Sequence, residues 1–244
     1  MKTLLLVLFS LASLAGCSTK FVEPLVPGTQ SGSTNTQTDT TKLKGAYQYL
    51  ALGDSYTIGQ SVSPLESFPY QLKAQLNQRG YKVTDPTIIA VTGWTTANLI
   101  NAVQQANLTQ KYDFITLLIG VNNQYQGMNQ ADYRTQFVQL LNTAIGFANG
   151  NKLHVFVISI PDYSVTPFAS GSNKAQIAAE IDQFNNINRD ESTKAGVNYL
   201  YITDISRMAT TDPSLIATDG LHPSGKMYNL WVNQLTPIII NQLK

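Results

Sequence analysis

Ser55, Asn122 and the closely spaced pair Asp219 and His222 are side chains of the types that acyl transfer could use. A serine hydroxyl is a poor nucleophile until a neighbouring base removes its proton. The chain has 2 histidines. His154 falls inside an apolar run of strand length, a structural or edge position, which leaves His222 as the candidate base. Its imidazole must present one nitrogen to Ser55 while the other is held as a donor. Asp219, three residues earlier in Asp219-Gly220-Leu221-His222-Pro223, can accept that hydrogen bond across one turn. Plainer duties stay open for the same residues. Ser55 could cap a helix, and Asp219 could cap a turn without touching the ring. Gly93 could serve a tight turn, and Asn122 could bond its own backbone.

Such residues act together only if the fold carries them to one place. Apolar runs of strand length occur at 47–52, 87–91, 114–119, 153–160 and 198–203. The third and fourth are nearly continuous in apolar side chains, as expected for strands covered on both faces. Helical stripes lie between and after them. Tyr133, Phe137, Leu140, Leu141 and Ala144 form one, and Ile177, Ile181, Phe184 and Ile187 another. A last helix is predicted from about Ser224 to the end, with Tyr228, Trp231 and Leu235 inward and a kink at Pro237. Strands alternating with helices imply βαβ units, a parallel sheet, and right-handed crossovers that cover both faces. One α/β domain should therefore span 45–244. In such a sheet, ligands bind beyond the carboxyl ends of the strands. Gly53-Asp54-Ser55-Tyr56, Thr92-Gly93-Trp94, Gly120-Val121-Asn122-Asn123 and Pro161-Asp162-Tyr163 each follow a strand, and Asp219 to Pro223 precedes the last helix. The hydroxyl, amide, carboxylate and imidazole are thus delivered to a common edge.

These blocks, in this order, resemble the SGNH hydrolase family, also called GDSL esterases, over residues 46–243. The resemblance makes Ser55 in Gly53-Asp54-Ser55-Tyr56 the nucleophile and matches Asp219 and His222 to the paired residues of the last block. It assigns Gly93 and Asn122 to the oxyanion hole, where with the Ser55 N–H they would receive the negative charge of the carbonyl oxygen. It also implies a flavodoxin-like, three-layer α/β/α sandwich with a central five-stranded parallel sheet. The nucleophile elbow G-x-S-x-G of the α/β-hydrolases is absent, since the glycine after Ser55 is Gly59, four residues on. Trp94, Asn123 and Tyr125 adjoin block residues and are candidates for the substrate pocket. The family usually carries aspartate where this chain has Asn123, which could brace its loop instead or contact the substrate.

Composition narrows the remaining classes. With 16 basic and 15 acidic residues in 244, no broad field steers the chain onto nucleic acid. A single cysteine and 2 histidines supply neither a disulfide nor a cysteine-based zinc cluster, and no cofactor or metal is implied. Lys2 followed by the apolar run Leu4 to Leu14 reads as an export signal over 1–16. It ends in Leu14-Ala15-Gly16-Cys17, which looks like the lipobox of bacterial lipoproteins and implies a lipidated Cys17 as membrane anchor. Residues 28–41 contain no large apolar side chain, so 17–44 is expected to be a flexible tether, spanning about 25–30 Å. Ser18, where inner-membrane retention would use aspartate, favours the outer membrane or a periplasm-facing site in the cell envelope.

The expected activity is hydrolysis of carboxylic (acyl or acetyl) esters through an acyl-enzyme, the partner being a small-molecule or glycan-linked ester. Two alternatives use the same residues differently. An acyltransferase would hand the acyl group to or from an envelope glycan. A non-enzymatic surface lipoprotein would bind glycan in an inactive site.

Overall fold

The computed structural model describes residues 45–244. The expected signal segment, Cys17 and the tether lie outside the described residues. Five parallel strands form one sheet, β1 (Tyr49–Gly53), β2 (Thr87–Ala90), β3 (Phe114–Leu118), β4 (Val155–Ile158) and β5 (Asn198–Leu200), in the order β2-β1-β3-β4-β5. This is the flavodoxin-like order, in which the chain reverses direction across the sheet between β1 and β3. The strands predicted as doubly covered are so: every residue of β3 and β4 is buried. β2, at the sheet edge, is only half buried. Thr116, polar within the apolar β3, is paired across to the Tyr49 hydroxyl on β1 at 2.8 Å.

The helices are α1 (Ser55–Ile58), α2 (Phe68–Gln78), α3 (Thr96–Ala106), α4 (Val121–Tyr125), α5 (Gln130–Phe147), α6 (Lys174–Ala195), α7 (Thr203–Arg207) and α8 (Gly225–Leu243). With crossovers of one hand, the leftward step from β1 to β2 and the rightward steps to β3, β4 and β5 put their helices on opposite faces. The packing agrees. α2 lies against α8, while α3, α5 and α6 pack in succession. The predicted stripes are buried on α5, α6 and α8. α8 runs through Pro237 rather than stopping there. His154 does not sit within a strand. It ends a short 3-10 turn before β4 and its Nε2 meets the Gln242 carbonyl oxygen at 3.0 Å, a structural contact with the end of α8.

Candidate active site

β1 ends at Gly53, and the chain turns at once into α1. Asp54 caps that helix, its Oδ1 accepting from the Tyr56 N–H at 3.0 Å. The cap position is therefore filled by the neighbour, and the Ser55 hydroxyl is spared that duty. Ser55 is the first residue of α1, where a backbone N–H has no intrahelical acceptor. Asp54 itself is fully buried, and burial, opposed by the bond from Tyr56, pushes its carboxyl up to about 7. Its Oδ2 has no hydrogen-bond partner among the described residues.

The loop after β2 holds Gly93 at φ +84, a backbone conformation that a side chain at Cβ resists. After β3, Asn122 is the second residue of α4, and its Nδ2 donates to the Trp94 carbonyl oxygen at 2.9 Å. That bond uses one of the two amide hydrogens and ties the loops after β2 and β3 together, leaving the other hydrogen for a further acceptor.

Before α8, the Asp219 carboxylate is held by four donors. Oδ1 accepts from the backbone N–H groups of Leu221 (2.9 Å) and His222 (3.0 Å). Oδ2 lies 2.6 Å from His222 Nδ1 and accepts from the Ser61 hydroxyl at 2.7 Å. Partial burial works against the charged form, but the bonds from Ser61, from the His222 ring and from the two backbone groups outweigh it. The carboxyl is held far below the usual range and stays ionised. With Nδ1 committed to Asp219, the ring's Nε2 is the nitrogen that the carboxylate leaves unengaged. The Tyr56 ring packs 5.4 Å from the imidazole.

Ser55, Gly93, Asn122 and His222 line a single pocket of about 120 Å³. Tyr56, Thr92, Val121, Tyr125, Tyr163, Phe168 and Leu221 complete it. No hydrogen bond yet joins the Ser55 hydroxyl to His222, a contact that often tightens only when substrate seats. Of the pocket candidates, Tyr125 belongs to the lining and is 59% exposed. Trp94 and Asn123 do not. The Trp94 ring packs against the hydrophobic core, and only its carbonyl serves the site, by orienting Asn122.

Asn123 is fully buried and clamps α4 to the start of α3. Its Oδ1 accepts from the Thr96 N–H at 3.0 Å and its Nδ2 donates to Thr96 Oγ1 at 2.7 Å. Thr96 Oγ1 in turn donates to Gln136 Oε1 at 2.5 Å. The threonine hydroxyl has spent its proton on Gln136, so position 123 must supply a donor. An amide does so and an ionised carboxylate cannot. The departure from the family's usual aspartate thus has a local reason, and the contact is a brace rather than a substrate contact.

Sequence reasoning missed Ser61 and the aromatic wall of the pocket. Tyr163 and Phe168 come from two successive 3-10 turns after β4, and with Tyr125 they form a cluster with ring centroids 6.0 to 6.3 Å apart. The stretch from Ser159 to Ala169 is marked by its aromatics and prolines, but no helical or strand period announces which rings face the site. Asp162, for which no role was apparent, is buried and pairs with Arg207 Nε at 2.9 Å, away from the pocket lining.

The family model for the GDSL-like lipase/acylhydrolase family matches residues 51–230. No curated protein matches the chain. Among solved structures, TesA is similar at 15% identity and a TM-score of 0.63, covering 80% of this chain and 99% of that one. A lipase/acylhydrolase from Enterococcus faecalis is similar at 18% identity and 0.61, covering 81% and 97%. Axe2, an acetylxylan esterase from Geobacillus stearothermophilus, is similar at 15% identity and 0.59, covering 82% and 95%. At these identities the structures speak for the fold, and the match over residues 51–230 speaks for more. With Ser55, Gly93, Asn122 and His222 converging on one pocket of that fold, the chain belongs to the GDSL-like lipase/acylhydrolase family and is an ester-hydrolysing enzyme.

Proposed function

We propose that Ser55 is the nucleophile of a serine esterase acting through an acyl-enzyme. His222 Nε2 takes the serine proton as Oγ bonds to the ester carbonyl carbon. The N–H groups of Ser55 and Gly93 and the free hydrogen of the Asn122 amide receive the carbonyl oxygen as it becomes an anion. The C–O bond to the alcohol then breaks, and His222 returns the proton to the departing oxygen. Water, deprotonated by the same nitrogen, attacks the acyl-enzyme, releasing the acid and restoring Ser55. Asp219 keeps the imidazole in the tautomer that accepts at Nε2. The observation that carries this reading is the 2.6 Å pair of Asp219 and His222 on a pocket shared with Ser55. Tyr125 and Phe168, 59% and 48% exposed, leave the mouth open to water, which favours hydrolysis over transfer of the acyl group.

The lining also selects the substrate. It contains no Lys, Arg, Asp or Glu, so a charged acyl group would find no partner there. At about 120 Å³ the space beside Ser55 is small for a ligand site, which favours a short acyl group. The favoured substrate is a neutral ester of a short acid, acetyl to about butyryl, with the alcohol portion lying against the exposed rings. A series of aryl esters from acetyl to palmitoyl tests this. kcat/KM should fall about tenfold or more between butyryl and decanoyl. Undiminished rates out to palmitoyl would refute the short-acyl assignment.

The leader and tether support a location for this activity, on the bacterial envelope with a lipid on Cys17. Cys17→Ser should give unanchored protein or uncleaved precursor with the esterase intact. Mass spectrometry finding an unmodified Cys17 on mature protein would remove the anchor.

A further inference from the structure

Ser61 sits where serine is a poor backbone choice. The Val62 N–H closes a turn onto the Gly59 carbonyl oxygen at 3.2 Å, and Ser61, the third residue of that turn, has φ +68. Turns with positive φ at this place favour glycine or asparagine, because a Cβ crowds the backbone there. Among the described residues only Asn107 and Asn149 share positive φ without being glycine, and asparagine tolerates it readily. Strained residues of this kind gather at functional sites, where something in the surroundings holds them. Here the side chain supplies the reason. The Ser61 hydroxyl donates to Asp219 Oδ2 at 2.7 Å, the same oxygen that lies 2.6 Å from His222 Nδ1. The bond crosses 158 positions of sequence. It joins the segment that begins with Ser55 to the segment that carries the base.

We infer that Ser61 is a positioning residue for catalysis, fixing the Asp219 carboxylate so that His222 faces Ser55. This rests on the reading of Ser55, His222 and Asp219 as nucleophile, base and orienting carboxylate. The geometry explains how it works. Two backbone N–H groups hold Oδ1, but on the Oδ2 side the only donor besides the imidazole among the described residues is Ser61. Without the hydroxyl, Oδ2 and the ring can move together away from Ser55, and small misplacements of this kind are costly in rate. The hydroxyl has an electrostatic effect as well. By sharing Oδ2 it draws off part of the carboxylate's negative charge, so its loss leaves Asp219 a stronger partner for the protonated ring. The other titratable groups nearby among the described residues are Tyr56, packed on the imidazole, Tyr163 in the same pocket, and Tyr228, Asp54 and Asp162, each of which interacts electrostatically with Tyr56. All of them remain in a Ser61 variant.

The test separates backbone from hydroxyl. Ser61→Gly removes the donor and relieves the positive φ, so it should melt no lower than the parent while kcat on an aryl acetate falls about tenfold. KM should change little. Ser61→Asn, which tolerates the turn and carries an N–H donor, should recover most of the lost rate. A merely structural residue would give the opposite pattern, with activity following melting temperature. The inference is overturned if Ser61→Gly matches the parent in kcat, or if Ser61→Asn is as slow as Ser61→Gly. Labelling of Ser55 by a fluorophosphonate reports on the underlying reading separately. Unlabelled Ser55 in the active parent enzyme sinks the nucleophile assignment, whereas a labelled, fully active Ser61→Gly sinks only the role of Ser61.

Discussion

Ser55→Ala should abolish turnover of an aryl acetate, with kcat falling on the order of 10⁶-fold, since loss of a serine nucleophile removes the covalent route entirely. The fall should occur without loss of fold. Ser55 is buried but small, it makes no hydrogen bond through its hydroxyl to any other described residue, and Asp54 rather than Ser55 caps α1. The melting temperature should therefore stay close to the parent's. A fluorophosphonate should label the parent once, at Ser55, and leave the variant untouched. Asp219 stays ionised in parent and variant alike, because its hydrogen bonds hold the carboxyl far below the usual range. Activity in Ser55→Ala within tenfold of the parent would end the serine-esterase reading.

The second large effect belongs to Asn122. Its amide is already oriented by the Trp94 carbonyl, so no reorganisation is needed when charge develops on the substrate. Asn122→Ala should lower kcat by about 10²–10³ while KM changes little, because an oxyanion donor acts on charge that appears only during reaction. Asn123→Ala should be milder in rate, about tenfold, and harsher in stability. It leaves the buried Thr96 N–H without its acceptor at 3.0 Å, a loss of about 1–3 kcal/mol, and takes one of two bonds from the Thr96 hydroxyl, which keeps Gln136. Asn123→Asp should also destabilise, since it brings a second acceptor to a Thr96 hydroxyl already committed to Gln136. Single-turnover kinetics and thermal unfolding on the three variants decide the matter. If Asn123→Ala proved the slower enzyme, the oxyanion role would pass from Asn122 to its neighbour.

The residues legible in the sequence share one property: each stands just past a strand end or just before the last helix. The blocks that hold Ser55 after β1, Gly93 after β2 and Asn122 after β3 follow from apolar runs, because a parallel sheet sends all its carboxyl ends to one edge, and the family resemblance singles out Gly93 and Asn122 within them. The stripes on α5, α6 and α8 were equally plain, being long and regular. Short elements were not. Tyr163 and Phe168 lie in three-residue turns with no period to read, and Ser61 declares itself only through a backbone angle and a partner 158 residues away. Asn123 and Trp94 were placed in the pocket because they adjoin Asn122 and Gly93. Adjacent residues on a helix or tight turn point in different directions, and these two turn inward.

Ser55 lies at the end of the first strand and His222 just before the last helix, and the packing of α2 on α8 clamps the two ends of the domain together. Only a fragment that spans nearly the whole domain holds both. Contacts so distant in sequence require closing a long loop first and lower the folding rate. Partly folded chains are therefore inert toward esters, and the appearance of activity during refolding is a clock for completion of the whole domain. Enzymatic assay and a spectroscopic probe of the sheet would then diverge in time, with hydrolysis lagging until α8 docks.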